Sequence, residues 1–294
     1  MSSNEIIVGV DGAAPSRTAL RWASREAVRR GAELVVLLAY HWRIPGAPAM
    51  LGADLEQATQ DQAELVVADA VAEARAVAPG VTARGHAVLG DPAPALVNAG
   101  LDGGLIVVGS RGQYGFPAAL VGSVSQQVAL HADGPVVVVR GKAESAEGPV
   151  VVGFDGSPGA DEALRTAFEE ASRRDGRLNV VQAITTTLPS WPVSLPPMAY
   201  DREAVRLAAQ SDLEHTLASW TEKYPQVTVA PRAVIGNPSR VLIAASQGAQ
   251  LIVVGTRGHG GFAGLLLGSV GLHLLHHAEC PLLVARPQRS MSKL

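Results

Sequence analysis

The stretch Ile6–Ala39, IIVGVDGAAPSRTALRWASREAVRRGAELVVLLA, decides the fold. A short apolar run is broken by Asp11-Gly12, a turn pair, and a segment of helical periodicity then runs from about Pro15 to Arg30. A second apolar run, Leu34–Ala39, follows. Strand, helix and strand within about 30 residues make a βαβ unit, whose strands lie parallel because the helix returns the chain.

The unit occurs twice. Val150–Ala183, VVVGFDGSPGADEALRTAFEEASRRDGRLNVVQA, repeats it at an offset of 144 residues. Further on, VLGDPAPALVNAGLDGGLIVVGSRG is echoed by VIGNPSRVLIAASQGAQLIVVGTRG, and LHADGPVVVVR by HHAECPLLVAR, at an offset of 146. A repeat of this length makes two tandem domains, 1–142 and 148–294, joined by the polar, glycine-bounded GKAESAEG. In the first copy the apolar runs predict strands at Glu5–Val10, Leu34–Ala39, Thr82–Val88, Leu105–Val108 and Val136–Arg140. Helices are expected between them, from about Pro15 to Arg30, Leu55 to Val77, Pro92 to Leu101 and Gly122 to His131. The alternation implies an α/β protein with two doubly wound five-stranded parallel sheets and right-handed crossovers. The continuously apolar LIVV and VVVV agree, since a parallel sheet is covered on both faces. Such sheets bind ligands beyond the carboxyl ends of their strands, at the switch point.

Composition narrows the classes of function. The 294 residues are 47% hydrophobic but only 4% aromatic, so the core is aliphatic. With 24 basic against 27 acidic residues and no basic block, no nucleic-acid partner is expected. No apolar run approaches the roughly 18 residues of a membrane span, and no signal peptide is read at the start. Cys280 is the single cysteine, which suits a reducing compartment. A cytoplasmic protein is expected.

Chemistry is expected at two strand ends in each copy. The first strand ends in an acid, Asp11 or Asp155, each followed by a glycine, Gly12 or Gly156. Asp-Gly is a turn signal and Asp a helix cap, which explains the pair without a ligand. The same carboxylate can also accept hydrogen bonds from ribose hydroxyls or an adenine amino group. The fourth strand ends in a glycine loop with the spacing G-x2-G-x9-G-S, formed by Gly109, Gly112, Gly122 and Ser123 and again by Gly255, Gly258, Gly268 and Ser269. Glycine permits positive φ and lets a ligand approach bare amides, while the serine opens a helix whose unpaired N–H groups favour an anion. A bare strand-to-helix linker is the plainer reading, but the spacing occurs twice after the same strand.

On these residues the chain resembles the universal stress protein family, in a tandem form of its ATP-binding branch, from Ile6 to Arg286. The resemblance implies a Rossmann-like sheet of the adenine nucleotide α-hydrolase type, strand order 3-2-1-4-5, with the halves related by a pseudo-two-fold and fifth strands Val136–Val139 and Leu282–Ala285 paired. It implies ATP, with or without Mg²⁺, at each switch point. In the first half the implied contacts are Asp11, Gly12, Ala39, Gly109, Arg111, Gly112, Gly122, Ser123, Val124 and Ser125. In the second they are Asp155, Gly156, Ser157, Ala183, Gly255, Arg257, Gly258, Gly268, Ser269 and Val270. Stress or growth regulation, a homodimer of the tandem chain and further protein partners belong to the same expectation.

The two loops are unequal. GHGGFAGLLL in the second half keeps the family's glycines, whereas GQYGFPAALV in the first has Tyr114 and Ala118 at glycine positions and Pro117 between. Ala13 stands where the second half has Ser157; Ser125 offers a hydroxyl where it has Gly271. The second site is expected to bind more tightly. No G-x4-G-K-[S/T] loop occurs, so no lysine serves a transferring phosphoryl group and no catalytic residue is assigned. A slow ATPase or nucleotidyl-transfer enzyme, and a scaffold with degenerate sites, are the rival readings. His273, His276, His277 and Cys280 read as ordinary helix residues rather than a metal site. The proline-rich stretches after the second strands, around Trp42 and Trp191, read equally as lids, partner surfaces or plain loops.

Overall fold

The computed structural model describes residues 4–41, 52–111, 121–141, 143, 147–174, 176–185, 201–259 and 266–287. The first half runs β1 (Glu5–Gly9), α1 (Ala14–Arg30), β2 (Glu33–Tyr40), α2 (Gly52–Val77), β3 (Ala83–Leu89), α3 (Pro92–Ala99), β4 (Leu105–Gly109), α4 (Ser123–His131) and β5 (Val136–Val139). The second runs β6 (Val150–Gly153), α5 (Pro158–Ser172), β7 (Arg177–Ile184), α6 (Arg202–Lys223), β8 (Thr228–Ile235), α7 (Pro238–Ser246), β9 (Leu251–Gly255), α8 (Ser269–His277) and β10 (Leu282–Ala285). The expected elements are all present, with ends shifted by at most a few residues.

The strands form one ten-stranded sheet in the order β3-β2-β1-β4-β5-β10-β9-β6-β7-β8. Each half has the order 3-2-1-4-5, so both are doubly wound as expected. The halves join where β5 meets β10 antiparallel, Val137 opposite Leu283. Every other pairing is parallel. Strand alternation then sorts the helices into two layers. Ile6, Val8, Leu34 and Val36 point with Val150, Val152, Leu178 and Val180 towards α1, α2, α5 and α6. Ile7, Val35 and Ile106 point with Val151, Val181 and Ile252 towards α3, α4, α7 and α8. Both layers cross the junction, so each apolar core is continuous through the two halves.

Local chemistry sets the helix ends. Pro15 and Pro158 stand in the first turns of α1 and α5, where the missing N–H costs nothing. Gly31 ends α1 at φ 60°, a left-handed cap, with Arg29 and Arg30 favourably placed in the last turn. On the far edge of the sheet, Gln210 of α6 donates to the Pro231 carbonyl at 3.0 Å and accepts from the Ala233 amide at 2.8 Å. One side chain thus occupies edge groups of β8.

Beneath the sheet junction lies a network absent from the sequence-based expectations. Glu26 of α1 and Glu170 of α5 are fully buried. Arg30 bridges them, at 2.7 Å to Glu26 and 2.6 Å to Glu170. Arg174 does the reciprocal, at 2.9 Å to Glu26 and in close contact with Glu170. Arg29 and Arg173 add the outer contacts, at 2.5 Å and 3.0 Å. Burial pushes the Glu26 carboxyl up, but the guanidinium groups of Arg174, Arg30 and Arg29 outweigh it and hold the group at about 2.

Candidate functional site

The switch point of each half lies where β1 and β4, or β6 and β9, diverge at their carboxyl ends. In the second half the aspartate and the glycine loop meet there. Asp155 Oδ1 accepts from the Ser157 amide at 3.0 Å, and its Oδ2 accepts from the His259 amide at 3.0 Å. Gly258 fits only because it lacks a side chain, since a Cβ would stand 2.2 Å from Asp155 Oδ2. The Ser157 hydroxyl accepts from the Ala160 amide at 3.2 Å and donates to the Arg257 carbonyl at 3.3 Å, tying the start of α5 to the loop. The Gly268 amide donates to the Thr256 carbonyl at 2.7 Å, which seats the start of α8 on the same loop. Asp155, Gly156, Ser157, Arg257, Gly258, Gly268 and Ser269 thereby surround one strand end. The Ser269 and Arg257 side chains are exposed there, with Val270 half-buried.

The first half repeats the turn at Asp11. Asp11 Oδ1 accepts from the Ala13 amide at 3.0 Å, and the Asp11 amide donates to Ser16 Oγ at 3.3 Å. Asp11 and Asp155 therefore make Asx-type turns, while the caps proper are Ala13 and Ser157. The turn reading is correct for both; in the second half the Asp155 carboxylate also accepts from the loop amide of His259. Ala13 has no hydroxyl to tie α1 to its loop, as Ser157 does for α5. The Gly122 amide donates to the Ser110 carbonyl at 2.8 Å, so the return to α4 is conserved in form, with Ser123 and Arg111 exposed and Val124 half-buried. Ala39 and Ala183 are half-buried in the last turns of pleat of β2 and β7. Gly112, Tyr114, Pro117 and Ala118, the glycines 260, 261 and 264, and both proline-rich stretches lie outside the described residues.

Two expectations are corrected. Gly109 and Gly255 read as glycines that admit a ligand, but the space is taken by chain: a Cβ on Gly109 would stand 2.7 Å from the Pro15 carbonyl oxygen, and one on Gly255 2.2 Å from that of Gly159. These glycines let the first turn of α1 or α5 press on the strand end. None of Gly109, Gly122, Gly255, Gly258 and Gly268 has positive φ; Gly12 and Gly156, beside the aspartates, do, at 82° and 78°. Ser125, expected to offer a hydroxyl to the site, is buried and donates it to the Gly109 carbonyl at 2.5 Å.

The remaining features are separate from the strand ends. Among the described residues no three His, Cys, Asp or Glu side chains gather into a cation site. The His273 ring bonds its own helix, at 2.8 Å to the Ser269 carbonyl. A cleft of about 200 Å³ lies between the halves at the amino ends of β1 and β4, lined by Arg30, Arg165, Glu169 and Arg286. A second, of about 190 Å³, runs between α1 and α2 beside Gly12, Ser16 and Asp69. No described helix is long and apolar enough to cross a membrane.

Fold and strand-end chemistry together define a tandem Rossmann-like protein with two switch points on one sheet. The model of the universal stress protein family matches residues 3–140 and again 148–286, and the chain belongs to that family. A universal stress protein of Mycolicibacterium smegmatis is 36% identical over 296 residues, covering 96% of this chain and 97% of the relative. One from Mycobacterium tuberculosis is 36% identical over 301 residues, covering 97% of each. Among solved structures, a universal stress protein from Archaeoglobus fulgidus shares the fold with a TM-score of 0.69 at 20% identity, over 97% of this chain and 99% of that one.

Proposed function

We propose that this chain is a cytoplasmic ATP-binding regulator of the stress response or growth, in which nucleotide occupancy acts as a conformational or assembly signal to a homodimer or to protein partners. The observation that carries the reading is the convergence at the second switch point of a carboxylate, a positive-φ glycine and the opening turn of α8. The residues fit an adenine nucleotide in kind. The Asp155 carboxylate suits the hydroxyl donors of a ribose, and the unpaired amides that open α8 suit phosphate. In the second half Asp155, Gly156, Ser157, Gly258, Gly268, Ser269 and Val270 would hold the nucleotide, with Arg257 facing solvent beside the phosphates and Ala183 at the base. In the first half Asp11, Gly12, Ala39, Arg111, Gly112, Gly122, Ser123 and Val124 would do so more weakly. Bound Mg²⁺ would screen phosphate charge.

The nucleotide content of purified, acid-denatured protein tests the reading. Adenine nucleotide at one to two per chain is expected, and an empty protein with no thermal shift in millimolar ATP overturns it. Ligand at 100 times its Kd stabilises by about 2.7 kcal/mol, which a melting curve resolves. Asp155→Ala is expected to weaken binding of adenosine and ATP alike, by about 10- to 100-fold, the loss of a charged hydrogen-bond acceptor. Gly258→Val drives a side chain into the Asp155 carboxylate and should abolish the tighter site. Normal ATP binding by both variants would place the site elsewhere. Released phosphate, measured on the same samples, decides between a binding protein and a slow ATPase.

A further inference from the structure

Each fifth strand is followed by an arginine that leaves its own half. Arg140, after β5, donates from Nη2 to the His276 carbonyl at 2.7 Å and from Nη1 to the carbonyls of Leu274, at 3.2 Å, and Leu275. Those are the closing carbonyls of α8, in the second half. Arg286, after β10, donates from Nη2 to Ala129 and Leu130, at 2.5 and 3.3 Å, and from Nη1 to Gly134 at 3.3 Å. The first two close α4, and Gly134 lies just beyond it, all in the first half. The exchange is reciprocal and obeys the pseudo-two-fold.

These caps take the place of the usual main-chain one. Both helices end on alanines in extended conformation, Ala132 with ψ 142° and Ala278 with ψ 145°, so no left-handed residue folds back over the last carbonyls. Burying guanidinium groups to do this is costly. Desolvation pulls the Arg286 group down to about 10 and lowers that of Arg140, whose buried Nε has no hydrogen-bond partner. What a guanidinium adds over a glycine cap is charge. A helix carries opposite partial charges at its ends, and a cation at the carbonyl end cancels the negative one. Helices of nine residues span only about 13 Å, and across so short a partly buried path a guanidinium at one end attracts a multiply charged anion at the other directly.

We propose that Arg140 and Arg286 are positioning residues that raise anion affinity at the amino end of the opposite half's helix. Arg140 serves the site at Ser269, and Arg286 serves the site at Ser123. Each half's phosphate-facing helix is electrically finished by the other half. This rests on the nucleotide reading above.

The test uses full-length protein in an Asp11→Ala background, so that the second site reports alone. ATP and adenosine are titrated calorimetrically into Arg140→Gln, which keeps a hydrogen-bond donor and removes the charge. The ATP affinity is expected to fall about two- to fivefold, the order for a unit charge about 13 Å from a polyphosphate, with adenosine unchanged. Arg140→Lys should recover most of the loss. Equal losses for ATP and adenosine would reduce Arg140 to a structural cap and overturn the proposal, as would an unchanged ATP affinity. Arg286→Gln in an Asp155→Ala background repeats the test at the first site, and covers the case of an Arg140 variant that does not fold. A parent protein that binds neither ligand overturns the nucleotide reading itself and this proposal with it; binding by the parent without the ATP-selective loss overturns this proposal alone.

Discussion

Glu170→Ala is expected to lower the melting temperature by roughly 6–20 °C, from a loss of about 3–5 kcal/mol spread over a chain of this size. Removing this carboxylate leaves Arg174, only 3% exposed, and Arg30 with one acid between them. Two cations held out of water by a single Glu26 are worse than no ions at all. Replacing Glu26, Arg30, Glu170 and Arg174 together by apolar residues of similar volume should therefore cost less than the single alanine. Thermal melts of the two variants decide this, and a quadruple variant less stable than Glu170→Ala would show that the network stabilises by more than mutual charge compensation. The pH dependence has a defined sign. Glu26 is held at about 2 in the folded protein against an ordinary value of about 4.5, so its contribution is fully present above pH 4.5. It declines as pH falls from there towards 2, and melts across that window should drop less in Glu26→Gln than in the wild type.

The second large effect is expected at Gly255. An added methyl would stand 2.2 Å from the Gly159 carbonyl oxygen and 2.6 Å from its carbon, and backbone cannot rotate aside. Gly255→Ala should destabilise by about 3 kcal/mol or more, at the upper end of overpacking costs. Gly271 gives the contrast. Its nearest obstacle is the Leu267 side chain at 2.7 Å, and Ser125 already stands at the matching place in the first half. Gly271→Ser should be tolerated within about 1 kcal/mol, with its hydroxyl free to reach the Gly255 carbonyl as Ser125 reaches Gly109. Urea denaturation of the two variants side by side reads the difference. Equal midpoints would mean that α5 can move off the strand.

These variants mark where sequence reasoning ends. The period of the apolar runs and the repeat at Val150 were enough to read every described strand and helix and the doubly wound arrangement. The β5–β10 junction came from family resemblance, because four consecutive valines carry no sign of what pairs with them. Asp11 and Asp155 were legible both as turn residues and as strand-end acids, and they are turn residues in the fold. The glycine loops misled in one respect. A glycine that opens room for a ligand and one that opens room for a helix look alike as letters, and only the distance from Gly255 to Gly159 separates them. The network of Glu26, Arg30, Glu170 and Arg174 did leave a trace, EAVRR repeated as EASRR. Glutamate and arginine on amphipathic helices ordinarily face water, so burial was invisible until the pseudo-two-fold brought α1 against α5. Arg140 and Arg286 were hidden for the same reason, since their partners lie more than a hundred residues away.

The antiparallel meeting of β5 and β10 has a geometric consequence. It turns the second half head to tail against the first, so the two strand-end mouths open on opposite long rims of one slab. A rigid partner resting on one rim touches a single mouth. On the regulatory reading proposed above, two loaded mouths would serve two partners facing away from each other, and a chain loaded on one rim only would end an assembly instead of linking it.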